Sequence, residues 1–200
     1  MKSYNNKSGT VMGISLLAVA LLVILDQITK YLAVIKLRGQ EPFVLIDGVF
    51  QLRYLENTSA AFSFDPVSLA HRIFHIAYFD ANPGVFLACK MIFFVILTAV
   101  VLVFLAILYR RIPWNRHFLP LNLIILSLWA GAVGNLMDRI TRHYVVDFFD
   151  FNLINFPIFN VADIYVTVAA IALIITMLFF YKEEDYDVIF PSNKKQSTNG

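Results

Sequence analysis

The stretch "VMGISLLAVALLVILDQITKYLAVIK", residues 11–36, decides the fold. A helix must run through about 20 mostly apolar residues to cross a bilayer core about 30 Å thick, and this stretch is long enough. The other segments that pass the same test are 86–109, 118–137 and 159–181. The sequence therefore predicts an all-α membrane protein with four transmembrane helices.

The composition agrees with this fold class. The chain has 200 residues, of which 59% are hydrophobic and 15% charged, and its mean hydropathy is +0.70. Such values are far from those of a soluble domain. The length excludes a large separate catalytic domain outside the bilayer, so any activity must come from the membrane part. A net charge of +2 does not indicate a nucleic-acid partner.

The first apolar segment resembles a signal peptide because it follows the basic tail "MKSYNNKSGT". No small-residue cleavage site follows it, and the apolar pattern continues through "YLAVI", so we interpret it as an uncleaved span. Residues 1–182 are predicted to form a single membrane domain. Residues 183–200 are polar and weakly periodic, which predicts a disordered cytoplasmic tail.

The distribution of basic residues predicts the orientation, because short cytoplasmic segments of membrane proteins are rich in Lys and Arg. The long segment 37–85 spreads Arg38, Arg53 and Arg72 over its length. The tails and the short connection between spans two and three carry Lys2, Lys7, Arg110, Arg111, Arg116, Lys182, Lys194 and Lys195. Both termini of this multi-pass protein are thus predicted to be cytoplasmic.

The segment 37–85, predicted to lie outside, has structure of its own. "FVLIDGVFQLRYLEN" at 43–57 alternates around Asp47 and Gly48, which predicts a hairpin and a small β-sheet at the outer face. "PVSLAHRIFHIAYFD" at 66–80 puts four apolar residues on one helical face, which is typical of an amphipathic helix lying in the interface. The residues on that face are Leu69, Ile73, Ile76 and Ala77.

With this topology, polar residues from several segments fall near the outer leaflet. An ionisable group at the centre of a membrane helix costs about 2.5 to 3.5 kcal/mol, so such groups normally face a partner or a water-filled cavity. The residues concerned are Asp26, Lys30, Asn57, Asn135, Asp138, Arg139, Asp147, Asn160 and Asp163. Their convergence on one leaflet predicts a single polar site.

Several of these residues also have purely structural interpretations. Asn160 and Asp163 have the spacing of a helix capping box. Asp26 and Lys30, four positions apart, fit a neutralising pair on one helix face. Arg139 fits a side chain that reaches the interface from the end of its span.

The same holds for polar residues beside them. Asp138 fits a local pair with Arg139, Lys90 a side chain reaching the interface, and Asp150 a solvated loop acid. The four histidines show no metal-ligand spacing, so the sequence assigns no metal site and no cofactor.

Catalytic chemistry, if present, has to come from carboxylates, because the sequence has no Cys–His pair, nucleophile elbow, zinc motif or phosphate loop. A loop containing Pro157 could bring Asp147 back beside Asp163. Two carboxyls within a few ångströms share one proton. The ionised acid can then deprotonate water while the protonated acid polarises an amide carbonyl, which is aspartic-protease chemistry.

Five blocks of the sequence carry a family resemblance. They are "DQITKYLA" at 26–33, "ENTSAAFSF" at 56–64, "GAVGNLMDRI" at 131–140, "VVDFFDF" at 145–151 and "FNVADIYV" at 159–166. In their order and in the pattern of four spans, the chain resembles lipoprotein signal peptidase, the bacterial signal peptidase II family of inner-membrane aspartic proteases. One departure is Ser59, which stands where the family commonly has glycine.

The resemblance implies that Asp147 and Asp163 are the catalytic pair. It also implies residues that bind substrate or support the pair: Asn57, Asn135, Arg139, Asn160, Asp26, Lys30 and Asp138. The implied activity is removal of the signal peptide from a prolipoprotein on the N-terminal side of its diacylglyceryl-modified cysteine. The implied partners are this substrate and membrane lipids, at a site near the outer leaflet of the bacterial inner membrane. No oligomeric state follows.

Two other functions fit isolated features of the sequence. Membrane carboxylates often serve proton or ion carriers, but a carrier should have acids at successive depths, whereas these acids cluster at one end. A noncatalytic membrane scaffold would use the same acids only as helix caps and surface groups.

Overall fold

The computed structural model describes residues 7–59 and 65–190. The helices in these residues are Gly9–Leu37 (α1), Pro66–Phe74 (α2), Ala77–Ala81 (α3), Pro83–Arg111 (α4), Leu119–Arg142 (α5), Val161–Phe179 (α6) and Glu183–Ile189 (α7). The strands are Phe43–Ile46 (β1), Phe50–Asn57 (β2) and Val145–Asp150 (β3). A short 3₁₀ helix, Asn152–Ile154, follows β3.

The four predicted spans are confirmed as α1, α4, α5 and α6, each long and apolar enough to cross a membrane. Helix α5 is the centre of the bundle, because α1, α4 and α6 all pack against it. It runs to Arg142, beyond the predicted end at 137. Asp138 and Arg139 therefore lie within the helix, where their side chains face neighbouring elements.

The predicted hairpin is also confirmed. Strands β1 and β2 pair antiparallel around Asp47 and Gly48, and Gly48 has a positive φ of 67°, a conformation that glycine adopts without strain. β2 also pairs antiparallel with β3, with Leu55 opposite Asp147. The sheet thus has the order β1-β2-β3.

Strand β3, which contains Asp147 and Asp150, is an element that the sequence analysis does not predict. Its sequence, "VVDFFD", is buried at every position except the half-buried Phe149, so it lacks the polar and apolar alternation that marks a half-exposed strand. One face of the sheet packs on the end of α1, where Val146 and Phe148 contact Ala33. Since strand residues alternate between faces, Asp147 points to the other side of the sheet.

The predicted interfacial helix is wrong in its continuity. Helix α2 ends at Phe74 because His75 has a left-handed φ of 44°. The next helix, α3, begins at Ala77, after the two residues His75 and Ile76. Leu69 and Ile73 share α2, but Ile76 and Ala77 do not continue its face.

The predicted disorder of the tail is wrong for residues 183–189, which form α7. Ile189 is fully buried in the core of the bundle, and the Tyr186 hydroxyl donates a hydrogen bond of 2.8 Å to the Met177 carbonyl oxygen. Burial of an apolar side chain thus offsets the ordering of a polar segment. The rest of the tail prediction, 191–200, lies outside the described residues, as does 60–64 of the second sequence block.

Candidate active site

Two of the predicted site residues, Asp147 and Asp163, are brought to one place by β3 and the first turn of α6. Asp147 is 1% exposed. Its Oδ2 accepts a hydrogen bond of 2.7 Å from Asn57 Nδ2 on β2, and its Oδ1 accepts one of 2.6 Å from Asn160 Nδ2. Both carboxyl oxygens of Asp147 are therefore held by amide donors.

Asp163 is held in the same way. Its Oδ1 accepts a hydrogen bond of 2.9 Å from Asn135 Nδ2 on α5, and its Oδ2 accepts one of 3.1 Å from the backbone N–H of Asn160. Asn160 Oδ1 accepts a bond of 3.0 Å from Asp163 N, so the capping box expected from the sequence is present. Asn160 contacts both carboxyls, because its side chain binds Asp147 and its backbone binds Asp163.

The environment of Asp147 changes its acidity. Burial raises the pKa of Asp147 from 3.8 to about 7, and the charge of Asp163 acts in the same direction. The hydrogen bonds from Asn57 and Asn160 and the charge of Lys30 oppose this rise. An acid with a pKa near 7 can hold or release a proton at neutral pH, which general acid–base catalysis requires.

A fully buried ion network lies behind the pair. Lys30 Nζ is 2.9 Å from Asp26 Oδ2 and 3.2 Å from Asp138 Oδ2, and it donates a hydrogen bond of 2.8 Å to Asn135 Oδ1. The pairing of Asp26 with Lys30 suggested by their spacing is thus present. Lys30 also fixes the Asn135 amide with its Nδ2 toward Asp163.

The two acids of this network also hold the backbone near the carboxyl pair. Asp26 Oδ1 accepts a hydrogen bond of 2.9 Å from the N–H of Ala162, in the first turn of α6. Asp138 Oδ2 accepts one of 3.1 Å from the N–H of Val146, next to Asp147 in β3. The suggested local pair of Asp138 with Arg139 is wrong: in the described structure Asp138 faces Lys30 and, at 3.9 Å, Arg142. Successive residues on a helix point in different directions, which separates Asp138 from Arg139.

Arg139 does not reach toward solvent as the sequence suggested, since it is 8% exposed. It donates a hydrogen bond of 3.1 Å to the Ser59 carbonyl oxygen, and its guanidinium lies 5.2 Å from the centre of the Phe94 ring. Ser59 N in turn donates a bond of 2.8 Å to Asn57 Oδ1. Arg139 and Asn57 therefore both hold the chain that follows β2.

Two further sequence interpretations are wrong. Asp150 is 3% exposed, and its Oδ2 accepts hydrogen bonds from Gln51 at 2.7 Å and pairs with Arg53 at 3.0 Å, so it is not a solvated loop acid. Lys90 is buried and pairs with Asp65 at 2.5 Å rather than only extending to the interface. In both cases the charged group pairs with a residue from a distant segment, whereas the sequence analysis expected it to contact water.

The two acids open onto a cavity of about 420 Å³. Its polar end is formed by Asn57, Asn135, Arg139, Asp147 and Asp163. Its apolar wall includes Phe151, Ile154, Phe156, Ile158, Ile164 and Val168. The sequence analysis did not predict this wall. Its only signal in the sequence is the apolar run "NLINFPIF" between the two acids. The cavity can bring an apolar chain and a polar reacting bond together.

The chain is similar to known proteins over most of its length. The sequence model of the family described as "Signal peptidase (SPase) II" matches residues 18–179. The lipoprotein signal peptidase of Caldanaerobacter subterraneus subsp. tengcongensis is 36% identical over 166 residues, which are 82% of this chain and 96% of that protein. The lipoprotein signal peptidase of Streptococcus pyogenes serotype M5 is 34% identical over 170 residues, 85% of this chain and 94% of that protein.

Two solved structures have a similar fold, and both are described as bacterial membrane enzymes. One has a TM-score of 0.61 and 29% identity, with 94% of this chain and 95% of the other covered. The second has a TM-score of 0.63 and 30% identity, with coverages of 84% and 95%. Each match covers most of both chains, so the similarity is to the fold as a whole.

Proposed function

Because the chain belongs to the signal peptidase II family, we propose that it is an aspartic endopeptidase that cleaves prolipoproteins on the N-terminal side of their diacylglyceryl-modified cysteine. One observation carries the proposal: Asn160 contacts both Asp147 and Asp163, and both acids line the same cavity. The coarser activity, processing of lipoprotein signal peptides by a bacterial multi-pass membrane protein, follows from the family itself.

The reaction requires one proton on the pair. The ionised carboxylate takes a proton from a water molecule as the water oxygen attacks the scissile carbonyl carbon, and the protonated acid gives its proton to the carbonyl oxygen. The tetrahedral intermediate then collapses: one of its hydroxyls returns a proton to the ionised acid, the C–N bond breaks, and the leaving nitrogen takes a proton from the protonated acid, so one shared proton remains on the pair. The raised pKa of Asp147 suits this sequence, since it allows a proton to remain on the pair near pH 7.

The cavity wall supports a substrate that is both peptide and lipid. Ile164 and Val168 lie on successive turns of α6 below Asp163, and both are part of the wall. Val168 is 59% exposed along the side of the bundle. Acyl chains lying against α6 in the bilayer would therefore hold the modified cysteine near the two acids, at the proposed outer leaflet.

The experiment compares the wild type with Asp147→Asn and Asp163→Asn on a lipidated prolipoprotein, with mass spectrometry of the products. General acid–base catalysis contributes about 10² to 10⁴ in rate, so each substitution should slow cleavage by at least that factor. Asp150→Asn is the matched control, because Asp150 is a buried acid on the same strand that pairs with Arg53.

Full cleavage by either Asp147→Asn or Asp163→Asn would exclude the proposed pair. Cleavage at a bond other than the one preceding the modified cysteine would exclude the proposed position. The carrier function has less support, because Asp26, Asp138, Asp147 and Asp163 gather at one end of the bundle and the described part of α6 beyond Asp163 has no further acid. Proton flux into liposomes that depends on Asp163 would favour it again.

A further inference from the structure

A second cavity, of about 190 Å³, lies at the end of the bundle opposite the carboxyl pair. Helices α1 and α4 both pack against α5 but are not closely packed against each other, which leaves a groove between them with α5 as its floor. The groove is lined by residues near the start of α1, the end of α4 and the first half of α5. It shares no residue with the candidate active site.

The surface of this groove is hydrocarbon. Leu105, Ile125 and Leu126 form its buried floor, and Leu16, which is 52% exposed, lies at its rim. The indole N–H of Trp129 donates a hydrogen bond of 3.2 Å to the Leu102 carbonyl oxygen, so the ring adds only apolar surface. An apolar cavity of roughly 150 Å³ in a protein stays dry and takes up benzene, so this groove suits a hydrocarbon chain rather than water.

The groove has a positive charge at the end that lies near the start of α1 and the end of α4. Arg110, in the last turn of α4, lines it, is exposed and has no ion pair within residues 7–59 and 65–190. The neighbouring polar groups are already satisfied, because the Ser15 and Tyr109 hydroxyls hydrogen-bond to each other at 2.5 Å. Lys7 Nζ lies 3.0 Å from the centre of the Tyr109 ring and donates to Asn122 Oδ1 at 2.6 Å. Arg110 therefore remains available for an external anion.

We propose that the groove binds an anionic glycerophospholipid, with one acyl chain against the α5 floor and the phosphate beside Arg110. A free anion would leave the apolar floor uncovered, and a zwitterionic lipid would bring the positive charge of its headgroup close to Arg110 together with its phosphate. The site is independent of the proteolytic function, and a bound lipid would stabilise the packing of α1 and α4 on α5.

Tryptophan fluorescence tests the site directly, because the chain has two tryptophans and Trp129 lines the groove. In the full chain carrying Trp114→Phe, Trp129 is the only tryptophan, and the excitation wavelength is chosen so that the nine tyrosines are not excited. The protein is placed in phosphatidylcholine vesicles that contain a small fraction of brominated phosphatidylglycerol or brominated phosphatidylcholine. Bromine quenches the fluorophore on contact. The phosphatidylglycerol should quench at about fivefold lower fraction, since a basic side chain near an anionic lipid contributes about 1 kcal/mol.

Variants separate a built site from general lipid contact. Arg110→Gln should remove the preference for phosphatidylglycerol, whereas Arg111→Gln, at the exposed neighbour outside the groove, should keep it. Ala106→Phe, which fills the groove, should reduce quenching by both lipids. Equal quenching by the two lipids in the unsubstituted groove would overturn the proposal. So would a preference that survives Arg110→Gln, or one that Arg111→Gln removes equally.

Discussion

At the level of single residues, Asp147 makes the stability of the folded protein depend on pH. Its folded-state pKa is raised from 3.8 to about 7. Between roughly pH 4 and 7 the folded protein therefore holds a proton that the unfolded chain has lost, so stability is greatest below this window and falls as pH rises through it. The fall is on the order of 4 kcal/mol, at 1.36 kcal/mol per pKa unit. Unfolding in detergent from pH 4 to 8 should show it.

The substitution Asp147→Asn should flatten this slope, whatever its effect on stability at a single pH. Asp150→Asn should keep the wild-type slope, because Asp150 is ion-paired with Arg53 and is not part of the pair. Proteolytic activity should decline above about pH 7, where the pair loses its shared proton. A wild-type slope in Asp147→Asn would mean that another group carries the titration.

Lys30 gives a second prediction at this scale. It is fully buried between Asp26 and Asp138, so Lys30→Met would leave two carboxylates without their cation. Breaking a buried ion pair in this way costs about 3–5 kcal/mol. Adding Asp26→Asn and Asp138→Asn should recover much of the stability, because asparagine oxygens can still accept from the two backbone N–H groups. Thermal unfolding of the single and triple variants measures both steps.

The triple variant should nevertheless cleave slowly. Without the ammonium of Lys30, the Asn135 amide oxygen loses its 2.8 Å hydrogen bond and keeps the longer one of 3.2 Å from Asn160 Nδ2, so the Nδ2 of Asn135 is held less firmly toward Asp163. Wild-type stability in Lys30→Met alone would contradict the stabilising role of the buried ion network. Wild-type activity in the triple variant would contradict the proposal that Lys30 positions Asn135.

At the level of elements, the contact between α5 and α6 determines where Asp163 lies. A Cβ on Gly131 would be 2.6 Å from the Ala162 carbonyl oxygen and 2.7 Å from Val166 Cγ2, so Gly131→Ala would push the start of α6 away. Such overpacking costs about 1–3 kcal/mol. Thermal unfolding and cleavage assays should both show a loss.

The control is Gly13→Ala in the exposed part of α1, where a Cβ would have no atom within 4 Å. It should leave both stability and cleavage near their wild-type values, because alanine is the better helix former. If the two glycine variants behave alike, close packing of α5 on α6 is not what positions Asp163.

Elements with a strong local pattern could be predicted from the sequence, and those that depend on distant partners could not. The spans needed only apolar length, and the hairpin needed only its alternation and Gly48. Strand β3 escaped detection because it is almost entirely buried and has no alternation. Helix α7 escaped because several of its contacts come from segments far away in the sequence: His117 Nε2 lies 2.8 Å from Asp185 Oδ1, and Ile189 packs in the cluster that also contains Tyr109.

The same division applies to the candidate site. Asp147, Asp163 and the three asparagines that bind them could be named from motifs. The resemblance implies that the two acids form a pair, but it does not give the hydrogen bonds that hold them, because these depend on how α1, α5, β2, β3 and α6 meet. The same packing of these elements pairs Asp138 with Lys30 and forms the apolar wall of the cavity.

At the level of the whole molecule, four spans put the start of α1 and the end of α6 on one side of the membrane, and the described residues of 38–82 and 143–160 on the other. The concentration of Lys and Arg near the chain ends and in 110–116 predicts that the side of the chain ends is cytoplasmic. In a background carrying Cys89→Ala, which removes the only native thiol, single cysteines can report the orientation through a membrane-impermeant thiol reagent.

Asp47→Cys, at the exposed hairpin turn beyond the sheet, should react in intact cells, because the predicted topology puts the sheet on the outer side. Glu184→Cys, exposed on α7, should react only after the membrane is permeabilised. The opposite pattern would put the carboxyl pair on the cytoplasmic side, where a translocated prolipoprotein could not reach it. Labelling of both cysteines in intact cells would contradict a single orientation, so the two positions together decide whether the site faces its proposed substrate.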